Sequence, residues 1–411
     1  MGRLRLLTAG ESHGPGIVAI LEGLPAGLSV PREAVDRDLI RRQQGYGRGG
    51  RMRIEKDRVE VLAGLRGSRT MGSPLALLVR NLDHASWLDV MDPFEQPQAA
   101  APVDAADGDH VTTAAEIVPS KRSRILSRPR PGHADLAGAL KLGTKDARDV
   151  LERASARSTA ARVAAGAVCK RLLEALGVRV VGHVVSIGSV TAPATVSSLS
   201  MDALVAATEA SEVRCADPST SEAMKATIDE ARRQGDSLGG VVEVLVEGAP
   251  VGLGSHADWE LRLEGKLAQA VMSVQAIKGV EIGLGFRTAA LRGSQVHDPI
   301  EYRDGRFHRP TNHAGGIEGG ITNGERIVVR AAMKPIPTLA RALASVDLVT
   351  KQPFDAAKER TDSVAVPACA VVVEAAVAFV LADAALDKLG GDSMDEVLAS
   401  LRALQARLAA Y

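Results

Sequence analysis

The stretch SARSTAARVAAGAVCKRLLEALG, residues 155–177, runs directly into VRVVGHVVSIG, residues 178–188, and this pair sets the reading of the whole chain. Val163, Ala167, Leu172, Leu173 and Leu176 fall near helical spacing and the segment stops on Gly177, so the spacing predicts a helix. The run that follows is rich in Val and Ile and reads as a strand. Working outward, the same alternation recurs. Residues 31–44 open on Pro31 and acidic groups, place Val35, Leu39 and Ile40 on one face and end at Gly45, which predicts another helix. Leu263, Leu267, Ala270, Val271, Val274 and Ile277 repeat the helical spacing before Gly279 and hand over to the strand-like VEIG. The apolar stretch from Val364 to Leu386 is interrupted by Pro367, Glu374 and Asp383 and reads as a buried strand and helix, not as a membrane span. After Gly391 a short amphipathic helix is expected.

Helix and strand segments alternate to the end of the chain without a Ser/Pro linker, so one domain over residues 1–411 is expected. Residues 89–118, rich in Pro, Ala and Asp, predict a surface loop or insertion. With 45% hydrophobic residues in a chain of 411, a large core is available. Lys plus Arg and Asp plus Glu are both 50, and aromatic residues make up 2%. This excludes the broad basic field and the stacking platforms of a general nucleic-acid binder. Any anion site is therefore local. Three dispersed cysteines give no CxxC spacing and fit a reducing, cytoplasmic compartment. The first residues lack a secretory apolar run, and no zinc spacing is found among the nine histidines, so no metal is expected.

Gly10-Glu11-Ser12-His13-Gly14 matches the G-x-S-x-G nucleophile elbow, which makes a serine hydrolase acting through Ser12 the alternative reading. An elbow leads into a helix, however, and here Pro15 and Gly16 lead into the strand-like IVAILEG. Gly45-Tyr46-Gly47-Arg48-Gly49-Gly50 matches G-x-G-x-x-G but follows a helix instead of a strand, so it is no dinucleotide fingerprint. Its use is a pliable backbone that brings Arg48 and Arg51 to an anion. Nine basic and five acidic residues lie between Arg32 and Arg58, a local excess in a neutral chain.

Nine polar, glycine-flanked segments carry more Arg, His and Asp than turns require: TAGESHGP, RQQGYGRGGRM, RPRPGHADLAGALK, RASARSTAARVAAG, GDSLGG, MSVQAIKGVEIG, NHAGGIEGGITNGE, AMKPIPT and RTDSVAVPA. Together they offer cations, two imidazoles and a carboxylate, groups suited to a multiply anionic small molecule and to proton transfer. In this order, from Thr8 to about Asp392, the chain closely resembles the chorismate synthase family. The resemblance implies an α+β fold with helices sandwiched between mostly antiparallel sheets, and a homotetramer. It implies a lyase that forms chorismate from 5-enolpyruvylshikimate 3-phosphate by 1,4-anti elimination of phosphate, with reduced FMN and no net redox change.

The resemblance also assigns roles. His13 looks like the acid for the departing phosphate, His133 the acid that protonates reduced flavin, and Asp362, beside Arg360, the group that helps remove the flavin N5 proton. An unperturbed imidazole pKa of ~6.5 suits both histidines. Arg153, Ala154, Ser155, Gln275, Ala276, Gly319, the run Lys334, Pro335, Ile336, Pro337 and Thr338, and Arg360 match flavin-contacting positions. Arg42, Arg48 and Arg130 are expected anchors for substrate or NADP. Ser12 and Ser155 are expected to assist by hydrogen bonding. No reductase domain is visible, so reduced flavin is expected from an external flavin reductase system, with NADPH acting indirectly. Ser363, Val364 and Ser158 depart from the family's usual residues, which bears on local packing.

Overall fold

The computed structural model describes residues 2–48, 56–94, 125–341, 343–355 and 362–411. Arg51, Arg360 and all but the first six residues of the expected 89–118 loop lie outside the described residues.

Strands β1 (Arg5–Ala9) and β2 (Gly16–Glu22) pair antiparallel with Leu7 opposite Ile20. The GESHG motif is the turn between them. Gly10 has φ +108°, and a Cβ there would stand 2.2 Å from the Gly16 carbonyl oxygen, so the turn needs glycine. β3 (Val59–Ala63) and β4 (Leu75–Arg80) complete a sheet of order β1-β2-β4-β3. A second sheet contains β5 (Arg179–Ile187), β6 (Val190–Thr191), β7 (Gly240–Glu247), β8 (Ile277–Ile282) and β9 (Ile327–Met333), in the order β8-β9-β7-β5-β6. Every pairing in both sheets is antiparallel.

Between the sheets lie α1 (Arg32–Gln43), α4 (Thr159–Ala175), α5 (Leu263–Met272) and α6 (Val366–Leu389). α4 covers β1, β2 and β4, α6 covers β5 and β7, and the two helices pack on each other. The expected sandwich is therefore present, and its alternation of small residues explains how it closes. A Cβ on Gly166 of α4 would meet the Ala375 Cβ of α6 at 2.4 Å, and one on Gly182 of β5 would meet the Ala370 carbonyl oxygen at 2.5 Å. Two shorter helices, α2 (Asp135–Leu142) and α3 (Arg148–Ala154), precede α4, and α7 (Met394–Ala409) closes the chain behind a Ser393–Glu396 capping box.

Two boundaries differ from the sequence expectation. The stretch from Val364 is not strand then helix: Val364 makes one isolated bridge to Leu238, and Val366–Leu389 is a single helix with Pro367 in its first turn. That helix is long and apolar enough to cross a membrane, but 89% of its most apolar window is buried inside the protein. Its polar interruptions are anchors. Glu374 accepts from Arg41 at 2.7 and 3.0 Å and from the Gly182 amide at 2.7 Å, while Asp383 accepts from the Leu4 amide at 2.9 Å. Burial pushes the Glu374 carboxyl upward, but the charges of Arg41 and Lys170 outweigh it and hold the group well below the usual carboxylate range. The other difference is α5, which stops at Met272. Ala276 takes φ +68°, and Ile277 already pairs with Met333.

Candidate active site

The β1–β2 turn presents His13, and α3 grips it. The Ser12 amide donates to the Glu152 carbonyl at 3.0 Å, the His13 amide to Glu152 Oε2 at 2.8 Å and His13 Nδ1 to Glu152 Oε1 at 2.8 Å. The imidazole lies on Trp87, ring centroids 3.9 Å apart, and His84 Nδ1 donates to the His13 carbonyl at 2.9 Å. Arg148 stands 3.6 Å from Glu152. Burial pushes the Glu152 carboxyl up, but the bond and charge of His13, with Arg148, leave it below its ordinary value. Ser12 is buried and shares a 3.0 Å hydrogen bond with Ser155, while His13 Nδ1 is engaged by Glu152. Ser12 sits in a turn between two strands and not at the start of a helix, as a nucleophile elbow requires, and the hydrolase alternative is not supported.

His133 is held in a parallel way. Its Nδ1 lies 2.5 Å from Asp135 Oδ1, and Arg130 reaches the same carboxylate through Nε at 2.8 Å and Nη2 at 3.1 Å. Burial raises Asp135, and the bonds from His133 and Arg130 with the Arg130 charge more than reverse that, keeping it well below the carboxylate range. Asp362 lies 2.8 Å from Arg48.

These three groups are joined by one run of contacts. Ser158 Oγ donates to the Ser155 carbonyl, and Gln275 Nε2 donates to Ser158 Oγ at 2.9 Å. The Lys334 amide donates to the Ala276 carbonyl at 3.0 Å, and Lys334 Nζ to the Gly132 carbonyl at 2.5 Å, beside Pro337. Ser237 Oγ of GDSLGG donates to the Ile336 carbonyl, the Leu238 amide to the Ser363 carbonyl, and the Ser363 amide to the Gly47 carbonyl, next to Arg48. The sequence candidates His13, Ser155, Gln275, Ala276, Lys334, Ile336, Pro337, His133, Arg130, Asp362 and Arg48 thus belong to one connected region. Arg153 and Ala154 end α3, and Arg153 donates to the Thr8 carbonyl at 2.7 Å. Pro335 and Thr338 share the Lys334 segment.

Three candidates stand otherwise. Arg360 lies outside the described residues. Gly319, φ +59°, sits in a separate hairpin of Ile317–Glu318 with Ile321–Thr322. That hairpin borders a cavity of about 320 Å³ lined by Ile282, Asp298, His313 and Glu318, at the opposite end of β8 from Gln275, and none of the connected residues lines it. Arg42 is buried, donating to Asp57 at 2.6 Å and Thr159 at 3.3 Å, and burial lowers its pKa against the pull of Asp57. Arg157 donates to the other Asp57 oxygen at 2.6 Å.

Sequence reasoning missed Glu152, Asp57 and Trp87. Glu152 sits directly before the RASARSTA segment and carried no motif of its own. Asp135 lies within the RPRPGHADLAGALK segment but had no role assigned to it. Among the described residues no group of three or more His, Cys, Asp or Glu is arranged for a metal.

Helices between antiparallel sheets carry two carboxylate-clamped imidazoles amid arginines, groups suited to proton transfer beside an anionic ligand. The model of the family described as chorismate synthase matches residues 4–386. A chorismate synthase of Moorella thermoacetica is 55% identical over 409 residues, covering 99% of this chain and 98% of the relative, and that of Desulforudis audaxviator is 54% identical over 408. A crystal structure titled as chorismate synthase superposes with TM-score 0.76 at 40% identity, covering 99% of both chains. The chain belongs to the chorismate synthase family and is a lyase.

Proposed function

We propose that the connected region converts 5-enolpyruvylshikimate 3-phosphate to chorismate by 1,4-anti elimination, with His13, His133 and Asp362 moving the protons. Family membership implies dependence on a reduced flavin. Reduced FMN, when bound, supplies the electron density that lets phosphate leave and accepts it back with the ring hydrogen. The residues present fit such a group. Among the described residues nothing donates to the buried Oε1 of Gln275, Ala276 holds a left-handed φ, and Lys334, whose amide donates to the Ala276 carbonyl, brings a cation to the same segment.

His13 delivers a proton from Nε2 to the departing phosphate, because Nδ1 is engaged by Glu152. With a reduced flavin bound, His133 would hold the proton that keeps it neutral, and Asp362, paired with Arg48, would offer a carboxylate to accept a proton from it. Arg130 and Arg48 anchor anionic groups of substrate or NADP, each already oriented by a carboxylate. Arg42, braced by Asp57, lends charge from behind. The remaining elements of the reading are an external flavin reductase using NADPH, a cytoplasmic setting in keeping with three free buried cysteines, one functional domain over residues 1–411, and a homotetramer.

The observation that carries this reading is the unbroken run of contacts from the His13 turn through Gln275, Ala276 and Lys334 to His133 and on to Asp362. Anaerobic stopped-flow with reduced FMN and substrate tests it. The wild type is expected to show a transient flavin absorbance change accompanied by chorismate. His13→Ala, His133→Ala and Asp362→Ala are expected to lose roughly 10²–10⁴ in turnover while retaining flavin and substrate binding. Wild-type turnover in all three removes the assignments.

A further inference from the structure

Glu152 holds both the backbone and the ring of one residue, and this sets it apart from an ordinary ion pair. Its two oxygens take the His13 amide and Nδ1, each at 2.8 Å, and its own carbonyl takes the Ser12 amide. The Glu152 side chain is 5% exposed. With the ring plane set by Trp87, neither rotation of the imidazole nor a change of tautomer is compatible with these contacts. We propose that Glu152, moderated by Arg148, is the positioning residue that makes His13 an acid at Nε2, resting on the reading of His13 given above.

The chemistry follows from the donor count. A carboxylate only accepts, so Nδ1 carries a hydrogen in every protonation state and the exchangeable proton resides on Nε2. A negative neighbour favours the imidazolium, and Arg148, 3.6 Å from the same Glu152 Oε1, opposes that. Among the described residues, the other titratable or charged groups around the turn are Arg153 of α3, Asp83 and His84 of the 82–87 segment and Glu11 of the turn itself. Asp83 is engaged by the Trp87 indole at 3.0 Å, His84 by the His13 carbonyl, and Arg153 by Thr8. Glu152 and Arg148 are thus the pair with opposite leverage on one ring.

Trp87 supplies a direct readout. The chain has two tryptophans, and the other, Trp259, is 78% exposed, so a Trp259→Phe background isolates the emission of Trp87, which a contacting imidazolium quenches. In that background Glu152→Gln is expected to move the fluorescence transition downward in pH, and Arg148→Met to move it upward. The limb of the kcat profile is expected to follow each shift. At pH 7, Glu152→Gln is expected to lose on the order of 10- to 100-fold in kcat with KM little changed, and Glu152→Asp to recover part of it. A merely structural role moves both variants the same way. An unmoved transition in Glu152→Gln, or equal signs for the two variants, overturns the proposal. If Glu152→Gln fails to fold, the upward shift in Arg148→Met still decides the sign. Transitions that move as stated while the kcat profile stays fixed overturn the reading of His13 as the acid and leave the clamp standing.

Discussion

Asp57 shows what a single residue contributes beneath the site. Its side chain is fully buried, with Arg42 on one oxygen and Arg157 on the other, both at 2.6 Å. Arg157 continues to Asn81 Oδ1 at 2.6 Å, and Asn81 donates to the Glu11 and Gly14 carbonyls, so the brace reaches the His13 turn. Removing one member of a buried charge cluster leaves the rest uncompensated, at a cost of about 3–5 kcal/mol. Asp57→Asn is expected to lose that much unfolding free energy in urea, and an unchanged midpoint refutes the brace. The same residues show what a sequence makes legible. His13 and His133 stand out because each lies in a short glycine-bounded motif whose side chains are near one another along the chain. The partner of His133, Asp135, lies in the same motif, but Glu152 is 139 positions from His13, and Asp57 is 100 from Arg157. Only the fold creates those neighbours. Arg42 was expected as an anchor through the family resemblance, and its burial against Asp57 is visible only in the fold.

Among the elements, α4 was legible because Gly177 marks its stop and three charged residues, Arg162, Arg171 and Glu174, are among its least buried positions and fall outside the apolar spacing. α6 lies between a helix and a sheet and is buried on nearly every face, so its period is masked and its β-branched start read as a strand. The α5 boundary was missed for a related reason. Val274 and Ile277 continue the helical spacing, and only the left-handed Ala276 turns the chain toward β8. The contact of α4 with α6 depends on a single missing side chain. A Cβ at Gly166 would lie 2.4 Å from the Ala375 Cβ and 2.7 Å from its Cα, and neither can yield without moving a helix. Gly166→Val therefore overpacks the layer, with an expected cost of about 1–3 kcal/mol, measured as a lowered thermal midpoint. Because α4 follows the Ser155–Ser158 turn, flavin affinity is expected to weaken with it. Retained stability and affinity together indicate that the helices part without consequence.

Across the whole molecule, neutrality in net charge conceals an interior built on ionised carboxylates. Asp135 and Glu152 clamp the two histidines and Glu374 binds α1, α4 and β5 to α6, and all three are held below their ordinary values because cations and hydrogen bonds outweigh burial. The sign of the resulting pH dependence follows. In the unfolded chain these groups take up protons near pH ~4, whereas in the folded chain they do so only at lower pH, so between those limits the unfolded state binds more protons. Their stabilisation is complete above the unfolded range and is lost as pH falls through it toward the folded values. Asp387, raised by burial and by Asp383, opposes this in part. Unfolding free energy measured in urea is expected to fall steeply between about pH 5 and pH 3. Glu374→Gln is expected to be less stable at pH 7 yet to show a shallower fall, since the group that must be protonated is gone while Arg41 and Lys170 lose their shared counter-charge. A slope equal to the wild type's assigns the acid sensitivity to the clamps at the histidines, and Glu152→Gln and Asp135→Asn then flatten it instead.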